Sequence, residues 1–260
     1  MMKAVLVVSF GTSYPETREK NIDAIERDIA KAMPEARTYR AWTSGMIRKK
    51  VNERDKLGVD SVAQAMQRMR ADGVDTLIVQ PTHVVNGIEN DAMIEDVRAH
   101  AQGFLEVKFG RPLLTYDRDY DEAIEAIGGD LQAEIAKKEH TAIVLMGHGT
   151  SHYANSAYAA LDYKFKDLGY SNVFVGTVEA YPSLDAIFRR LRENHIQNIL
   201  LTPFMIVAGD HANNDMAGDD ENSWNMQFQK AGFQVECLIK GLGEYERVRE
   251  IFVDHAREAV

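Results

Sequence analysis

Two short segments of the chain are near copies of each other, and each follows an apolar run. The first is Val7-Val8-Ser9-Phe10-Gly11-Thr12-Ser13, and the second is Leu145-Met146-Gly147-His148-Gly149-Thr150-Ser151. A helix-like stretch follows each copy, so each is interpreted as the tight turn at the carboxyl end of a strand, where open α/β sheets bind ligands. The second copy has His148 where the first has Phe10. The chain is therefore predicted to contain two related halves around one asymmetric site.

Apolar runs alternate with amphipathic stretches along the whole chain. The predicted strands are residues 4–10, 38–43, 76–81, 108–114, 142–147, 173–178, 198–204 and 234–238, and the helix-like segments include 15–32, 61–71, 120–136, 183–194 and 244–259. Alternation of this kind is typical of mostly parallel sheets with helices on both faces.

The repeat extends beyond the twin turns. An offset of 138 residues aligns Phe10 with His148, an offset of about 136 aligns Thr43 with Glu179, and an offset of 122 aligns Glu89 with His211. The shorter last offset indicates about sixteen extra residues in the first half, in the region 48–60. The fold prediction is an α/β protein made by internal duplication, with four-stranded halves at residues 1–125 and 126–260.

Composition limits the classes of function. With 260 residues and 45% hydrophobic content, the chain is long enough for one large or two modest domains. Its net charge of −10 argues against nucleic-acid binding. Because Cys237 is the single cysteine, an intrachain disulfide and a cysteine-ligated metal cluster are excluded. Any metal must be held by histidines and carboxylates.

The apolar runs are short, and none reaches the roughly 18 residues that a membrane span needs. The first residues, Met1-Met2-Lys3-Ala4, enter a strand-like run and lack the pattern of a secretory signal. No membrane partner is expected, and the predicted location is the cytoplasm.

Three polar residues of the second half follow three successive predicted strands. They are His148, Glu179 and His211. Because the carboxyl ends of parallel strands meet at one edge, these side chains are expected to converge. Two imidazoles and a carboxylate form an open ligand set for a divalent transition metal. The alternative is that each is an ordinary solvated or hydrogen-bonded side chain.

The other histidines are interpreted differently. His83 follows a strand of the first half, so it either faces the same crevice or is a polar loop residue. The remaining histidines in helical or helix-flanking contexts are interpreted as surface residues; these are His100, His140, His195 and His255.

Two further segments allow more than one interpretation. A basic cluster at Arg48, Lys49, Lys50 and Arg54 is either a solvated helix face or a surface that pairs with substrate carboxylates. The acidic segment 210–221 either caps a helix or attracts cations towards His211. The Gly-Thr-Ser turns also fit phosphate binding at helix N-termini, although neither has a full nucleotide-binding pattern.

With these motifs the chain resembles the anaerobic-type sirohydrochlorin cobaltochelatases of the class II chelatase group. The resemblance covers nearly all 260 residues and rests on segments 7–14, 43–47, 146–149, 176–179 and 207–217. The last segment, Val-Ala-Gly-Asp-His-Ala-Asn-Asn-Asp-Met-Ala, is the most specific. The resemblance implies two Rossmann-like halves with a tetrapyrrole cleft between them. It also implies a cobalt site at His148, Glu179 and His211.

The implied activity is insertion of Co²⁺ into sirohydrochlorin or precorrin-2 in anaerobic cobalamin biosynthesis. In this hypothesis the metal ligands and Glu89 are catalytic, and Glu89 or His83 accepts the second pyrrolic proton. Other residues are assigned to the tetrapyrrole: Phe10 and Met205 as packing surface, and Gly11, Thr12, Ser13, Arg48 and His83 as further binding residues. No organic cofactor is expected, because metal and ring are both substrates.

Two alternatives to this activity stay open at the level of sequence. Two histidines and a glutamate do not by themselves choose between Co²⁺, Fe²⁺ and Ni²⁺. A two-lobed protein that binds a tetrapyrrole or metal without turnover is the alternative from another class. The sequence also leaves open the oligomeric state, including a homo-oligomer, and the choice between sirohydrochlorin and precorrin-2.

Overall fold

A computed structural model describes residues 1–136 and 138–259 of the chain. Contacts divide it into two units: unit 1 is Met1–Thr115 with Glu246–Val260, and unit 2 is Tyr116–Tyr245. This division differs from the predicted halves, 1–125 and 126–260. The C-terminal helix belongs to unit 1 because it packs on a helix and a strand of that unit, and Arg249 Nε donates to Asp28 Oδ2 there at 2.5 Å.

Unit 1 is built on a four-stranded parallel sheet. Its strands are β1 (Met2–Ser9), β2 (Ala36–Trp42), β3 (Val74–Pro81) and β4 (Glu106–Phe109), in the order β2-β1-β3-β4. Its helices are α1 (Pro15–Lys20), α2 (Ile22–Ala32), α3 (Gly45–Asp55), α4 (Val62–Ala71), α5 (Ile88–Ala99) and, at the C-terminus, α10 (Glu246–Arg257).

The strand sequences explain the burial of this sheet. The run from Ala4 to Ser9 is fully buried, as expected for a central parallel strand covered by helices on both faces. Leu6 and Val8 pack with Met66 and Met69 of α4 in one hydrophobic cluster. The core therefore fixes the position of β1, and with it the turn that follows.

Unit 2 repeats this design. Its strands are β5 (Thr141–Gly147), β6 (Val173–Thr177), β7 (Asn198–Pro203) and β8 (Gln234–Cys237), all parallel and in the order β6-β5-β7-β8. Its helices are α6 (Asp117–Ile135), α7 (Ser156–Asp167), α8 (Leu184–Glu193) and α9 (Trp224–Lys230). Short helical turns occur at Tyr153–Asn155 and Leu242–Glu244, and a π-helical turn at Ala212–Met216.

The predicted fold class is confirmed for each unit. Each of the eight predicted strands matches a strand of the described residues within about five residues at either end. The helix-like stretch 15–32 is two helices, separated at Asn21. The extra residues of the first half are also where the offsets placed them, because α3 and α4 both lie between β2 and β3, whereas α8 alone lies between β6 and β7.

One histidine prediction is wrong. His255 is 1% exposed, because it lies on the buried face of α10, and its Nδ1 donates to the Arg111 carbonyl at 3.1 Å. His140 and His195 are exposed, as predicted, whereas His100 is half-buried. Within the described part of the chain, no helix combines the length and apolar character that a membrane span requires.

Candidate functional site

The twin turns after β1 and β5 are built in the same way. Gly11 and Gly149 have φ angles of +104° and +85°, which favour glycine. A Cβ on Gly11 would meet the Trp42 ring at 2.7 Å, and one on Gly149 would meet Thr177 Cβ at 3.0 Å. Glycine therefore allows each turn to lie against the neighbouring strand.

The threonines of the twin turns also match. Thr12 Oγ1 accepts a hydrogen bond from the Tyr14 amide at 3.3 Å, and Thr150 Oγ1 accepts one from the His152 amide at 3.2 Å. Thr12 is buried. Its hydroxyl stabilises the turn itself, and the predicted role of Thr12 in binding the tetrapyrrole stays a prediction.

His148 and Glu179 lie side by side at the carboxyl edge of the unit 2 sheet. The Glu179 amide donates to the His148 carbonyl at 3.0 Å, so the pairing of β5 and β6 continues past the strands. His148 Nε2 lies 3.8 Å from Glu179 Oε1. His148 Nδ1 lies 2.8 Å from the Gly149 carbonyl, which can only accept, so Nδ1 carries the proton. The Nε2 lone pair is therefore available to a metal.

His211 joins this pair from the segment after β7. Its ring centroid lies 4.8 Å from that of His148, with the ring planes at 82°. His211 Nδ1 contacts Asp215 Oδ2 at 2.5 Å, one turn along the helix. A carboxylate on one imidazole nitrogen orients the ring and raises the basicity of the other nitrogen. Both histidines thus present Nε2, although their Nδ1 partners differ in charge.

The π-helical turn explains how the chain holds His211. The Ala217 amide donates to the Ala212 carbonyl at 3.2 Å, five residues back, and Asn213 Nδ2 donates to the Gly209 carbonyl at 2.7 Å. Such π-turns are frequent at functional sites. The segment is therefore fixed by its own backbone and amide side chains.

His148 lies close to each of the other two predicted ligands, but the three do not form a closed metal cage. His148, Glu179 and His211 are all partly exposed. Among residues 1–136 and 138–259, no group of three or more His, Cys, Asp and Glu side chains stands in a ligating arrangement. The arrangement is open, so the metal site stays a prediction.

Asn155 connects the loops that carry His148 and Glu179. Its Oδ1 accepts from the Thr150 amide at 3.1 Å, and its Nδ2 donates to the Tyr181 carbonyl at 2.5 Å. One side chain thus fixes the turn after β5 against the loop after β6. Sequence reasoning missed this residue, because its partners are backbone groups of a distant loop.

Asp215 was also missed as a specific partner of His211. For the carboxylates of the acidic segment 210–221, the sequence predicts either helix capping or attraction of cations. The available signal was the spacing of four residues from His211, which places both side chains on one helical face.

The matching edge of unit 1 carries different side chains. The Ser44 amide donates to the Phe10 carbonyl at 3.2 Å, as the Glu179 amide does to His148. The counterpart of Glu179 is therefore Ser44, and the alignment with Thr43 is wrong by one residue. The match of Glu89 with His211 agrees with the hydrogen bonds at the start of each helix, since Asp91 pairs with Gly87 as Asn213 pairs with Gly209.

Of the residues assigned to the tetrapyrrole, several lie near the first twin turn. Phe10 is 49% exposed, which is unusual for a phenylalanine. Ser13 Oγ lies 3.3 Å from Lys50 Nζ, and Arg54 donates to the Ser13 carbonyl at 2.7 Å. Helix α3 therefore places basic side chains against this turn, whose Gly11 is buried.

Met205 is placed differently from its prediction. It is 9% exposed and packs in the hydrophobic core of unit 2 with Met146, Ala208 and Met216. As a core residue, Met205 stabilises the packing of unit 2, and it exposes little surface to a ligand.

His83 lies just after β3, with both ring nitrogens shielded from solvent. Burial lowers the pKa of His83, while the Asn90 side chain and the Glu89 carboxylate oppose that shift. The imidazole is therefore neutral at pH 7, which a proton acceptor requires. Glu89 itself is exposed at the start of α5.

Comparison with known proteins gives matches across the whole chain. A family model described as "Cobalt chelatase (CbiK)" matches residues 3–260. A protein of Salmonella typhimurium named sirohydrochlorin cobaltochelatase is 40% identical over 260 residues, covering 100% of this chain and 97% of the relative. Sirohydrochlorin cobaltochelatase CbiKC of Nitratidesulfovibrio vulgaris is 30% identical over 260 residues, covering 99% and 90%.

Solved structures match the fold at low sequence identity. SirB from Bacillus subtilis with Fe³⁺ has a TM-score of 0.71 and 15% identity, covering 99% of this chain and 95% of that one. The sirohydrochlorin chelatase SirB from Bacillus subtilis subspecies spizizenii in complex with cobalt has a TM-score of 0.66 and 13% identity, with the same coverage. At such identities the likeness concerns the fold alone.

Proposed function

Because the chain belongs to the cobalt chelatase (CbiK) family, we propose that it inserts Co²⁺ into sirohydrochlorin in cobalamin biosynthesis. One observation carries the proposal: at one edge of unit 2 the His148 and His211 rings lie 4.8 Å apart with their Nδ1 atoms engaged, and His148 Nε2 lies 3.8 Å from the Glu179 carboxylate. The names of the two curated relatives support the choice of ring and metal.

The metal is a substrate and is held before transfer by His148, Glu179 and His211. Imidazole nitrogen suits first-row transition ions such as Co²⁺, and the carboxylate offsets part of the charge. The set supplies three ligands, so positions stay free for incoming pyrrole nitrogens. An open site is what transfer requires, because a closed cage would retain the ion.

Metal insertion must also release the two pyrrolic protons of the tetrapyrrole. Insertion exchanges one Co²⁺ for the two protons of the pyrrolic N–H groups, so two bases are needed. When Co²⁺ leaves His211, the Nε2 lone pair becomes free to accept one proton, and the Asp215 carboxylate stabilises the imidazolium. Glu89 or the neutral His83 accepts the second.

The tetrapyrrole is recognised by residues of unit 1. The exposed Phe10 ring provides apolar surface for the macrocycle. Arg48, Ser13 and the basic side chains of α3 suit its peripheral carboxylates, which the net charge of −10 would otherwise repel. No organic cofactor takes part.

The test is cobalt insertion by His148→Ala and His211→Ala proteins, followed by the change in tetrapyrrole absorbance. We expect each variant to lose at least about 100-fold in rate, since removal of even a partner of a ligand costs about 10–100-fold. Binding of Co²⁺ alone, measured by calorimetry, should weaken in parallel.

The matched control is His195→Asn, an exposed histidine of unit 2 whose φ of +53° asparagine tolerates. His255→Ala is unsuitable as a control, because that ring is buried. Wild-type rates in both site variants would overturn the metal assignment. Binding of ring and metal by the wild type, with no insertion above the uncatalysed rate, would instead indicate a binding protein. Parallel assays with Fe²⁺, Ni²⁺ and precorrin-2 decide the preferred substrates.

A further inference from the structure

The glutamate of the proposed metal site follows an edge strand of unit 2. In the order β6-β5-β7-β8, strand β6 has a neighbouring strand on one side, and Glu179 lies just beyond its end. On that inner side, the Glu179 amide donates to the His148 carbonyl at 3.0 Å. On the outer side, no strand of the described residues pairs with β6. The position of Glu179 therefore depends on what covers the outer edge of β6.

Two side chains of α7 take the place of a neighbouring strand at this edge. Asp162 Oδ1 accepts a hydrogen bond from the Val175 amide at 2.8 Å, and Lys166 Nζ donates to the Val173 carbonyl. Both valines are fully buried, so their polar groups need partners within the protein. Charged side chains that cover a strand edge also prevent it from pairing with other chains. The outer edge of β6 is thus held by α7.

Asp162 is the centre of a buried ionic cluster and is itself 8% exposed. Lys166 Nζ lies 2.6 Å from its Oδ1, and Arg190 Nη1 of α8 lies 2.8 Å from its Oδ2. Both cations lie over the Phe174 ring of β6, with Lys166 Nζ at 4.8 Å and Arg190 Cζ at 5.0 Å from its centroid. Burial lowers the pKa of the Lys166 amine to about 8, and the Asp162 carboxylate opposes this shift. Removal of the carboxylate would leave two partly buried cations without their counter-charge, which is strongly unfavourable.

Unit 1 holds its own edge strand in a related way. Because Glu179 matches Ser44 at an offset of 135 residues, Val175 of β6 matches Arg40 of β2. Arg40 Nε donates to Glu26 Oε1 of α2 at 2.8 Å, so a carboxylate on a helix also contacts the edge strand there. In unit 1 this carboxylate contacts a side chain, whereas in unit 2 it contacts the strand backbone. The contact in unit 2 therefore acts directly on the strand that leads to Glu179.

We propose that Asp162 is a positioning residue for the metal site, which holds β6 against β5 so that the Glu179 carboxylate lies beside His148. The inference rests on the proposed function, because it takes Glu179 as a ligand of Co²⁺. The effect passes from Val175 along β6, whose pairing with β5 continues to the Glu179 amide. Without the carboxylate the inner edge of β6 stays paired and the outer edge is released. Glu179 then moves over a wider range, and Co²⁺ is held less firmly.

The test measures binding of Co²⁺ alone by calorimetry, which needs neither the tetrapyrrole nor turnover. Asp162→Asn keeps an acceptor for the Val175 amide but loses the charge, so its dissociation constant for Co²⁺ should rise several-fold. Asp162→Ala loses both and should raise it about tenfold, the lower end of the loss expected for a direct partner of a ligand. Hydrogen exchange of the Val178 and Glu179 amides should become faster in both variants, because the end of the strand opens more often.

The matched control is Glu26→Gln, which removes the corresponding carboxylate charge from unit 1. This variant should lower Tm, as Asp162→Asn does, and leave the Co²⁺ affinity unchanged. A Glu179→Ala background separates positioning from a general loss of stability. Because the ligand is then absent, addition of Asp162→Asn should change the Co²⁺ affinity no further. Unchanged Co²⁺ affinity in folded Asp162→Asn, an equal loss in Glu26→Gln, or an additive loss in the Glu179→Ala background would each overturn the proposal.

The same proteins separate this inference from the proposed function. If the wild type inserts Co²⁺ while Asp162→Asn binds the ion normally, the positioning proposal alone fails. If the Co²⁺ affinity depends on both Glu179 and Asp162 but the wild type inserts no metal, the proposed function fails and the positioning proposal stands. If Glu179→Ala binds Co²⁺ as tightly as the wild type, Glu179 is not a ligand, and the metal assignment and the positioning proposal both fail.

Discussion

The carboxyl edges of the two sheets share a backbone and differ in their side chains. After β1 the Thr43 amide donates to the Ser9 carbonyl at 2.9 Å, and after β5 the Val178 amide donates to the Gly147 carbonyl at 3.0 Å. On this common frame unit 2 places His148 and Glu179, whereas unit 1 places Phe10 and Ser44. The duplication thus kept the turn and changed the groups that it presents.

This difference shows where function lies in a duplicated fold. The buried strands are constrained by packing on both faces, so the strands of the two units keep the same apolar pattern. The residues just past the strand ends are not needed for the core, and a single replacement there converts an apolar surface into a metal ligand. The surrounding partners changed as well, since Asp215 of unit 2 matches the apolar Met93 of unit 1.

The largest effect in the comparison is expected from Asp215→Ala, which makes the partner of His211 apolar as in unit 1. Loss of the 2.5 Å contact frees the ring to rotate and lowers the basicity of Nε2. We expect Co²⁺ affinity, measured by calorimetry, to fall about 10–100-fold. The insertion rate at saturating Co²⁺ should fall as well, because the imidazolium loses its carboxylate.

The variants Asp215→Asn and Asp215→Glu separate charge from position. Asparagine keeps an acceptor for His211 Nδ1 but loses the charge. The Co²⁺ affinity of Asp215→Asn should therefore lie between that of the wild type and that of Asp215→Ala. Glutamate should restore part of the affinity. If Asp215→Ala binds Co²⁺ as tightly as the wild type, the carboxylate does not position His211, and the two edges differ less than the structure indicates.

A smaller effect is expected from Asn155→Ala, which removes the link between the loops of His148 and Glu179. Both hydrogen bonds of this side chain are lost at once. Because backbone bonds still join the two loops, only part of the about 0.5–1.5 kcal/mol per lost hydrogen bond reaches the metal site, and we expect Co²⁺ affinity to fall only a few-fold. Asn225→Ala is the matched control, since this half-buried asparagine of α9 also accepts a side-chain hydrogen bond, from Gln229 Nε2 at 2.7 Å. Equal affinity in both variants would show that the backbone alone fixes the pair.

Much of this architecture could be predicted from the sequence. Buried strands such as β5 are continuous apolar runs, and the glycines of the twin turns mark where they end, so the strand order along the chain and the family were predicted and are confirmed. The place of the extra residues in the first half, where the structure has α3, followed from the change in offset. These features depend on local patterns that survive in the sequence.

The other features of the fold and the site depend on contacts between residues far apart in sequence, which a local sequence pattern does not reveal. The register that pairs Ser44 with Phe10 is set by two strands far apart in sequence. His255 looked like a surface residue in a polar helix, and its burial depends on α10 returning to unit 1. The Asn155 link became visible only once the loops were in place.

The smallest expected effect concerns His83, just after β3 in unit 1, and its response to pH. Burial lowers the pKa of His83 in unit 1, so its folded value lies below the unfolded value of about 6.5. The unfolded chain therefore binds the proton more readily. This contribution to stability is fully present above about pH 6.5 and is lost as the pH falls through the folded pKa, by about 1.4 kcal/mol for each unit of difference. The His83→Gln variant does not have this loss of stability. Its Tm should therefore fall less than that of the wild type between pH 7.5 and 5. The difference should be about 2–4 °C for each kcal/mol of stability that the wild type loses through His83. Parallel Tm curves for the two proteins would show that His83 is not held neutral, and would also remove it as an acceptor of the second pyrrolic proton.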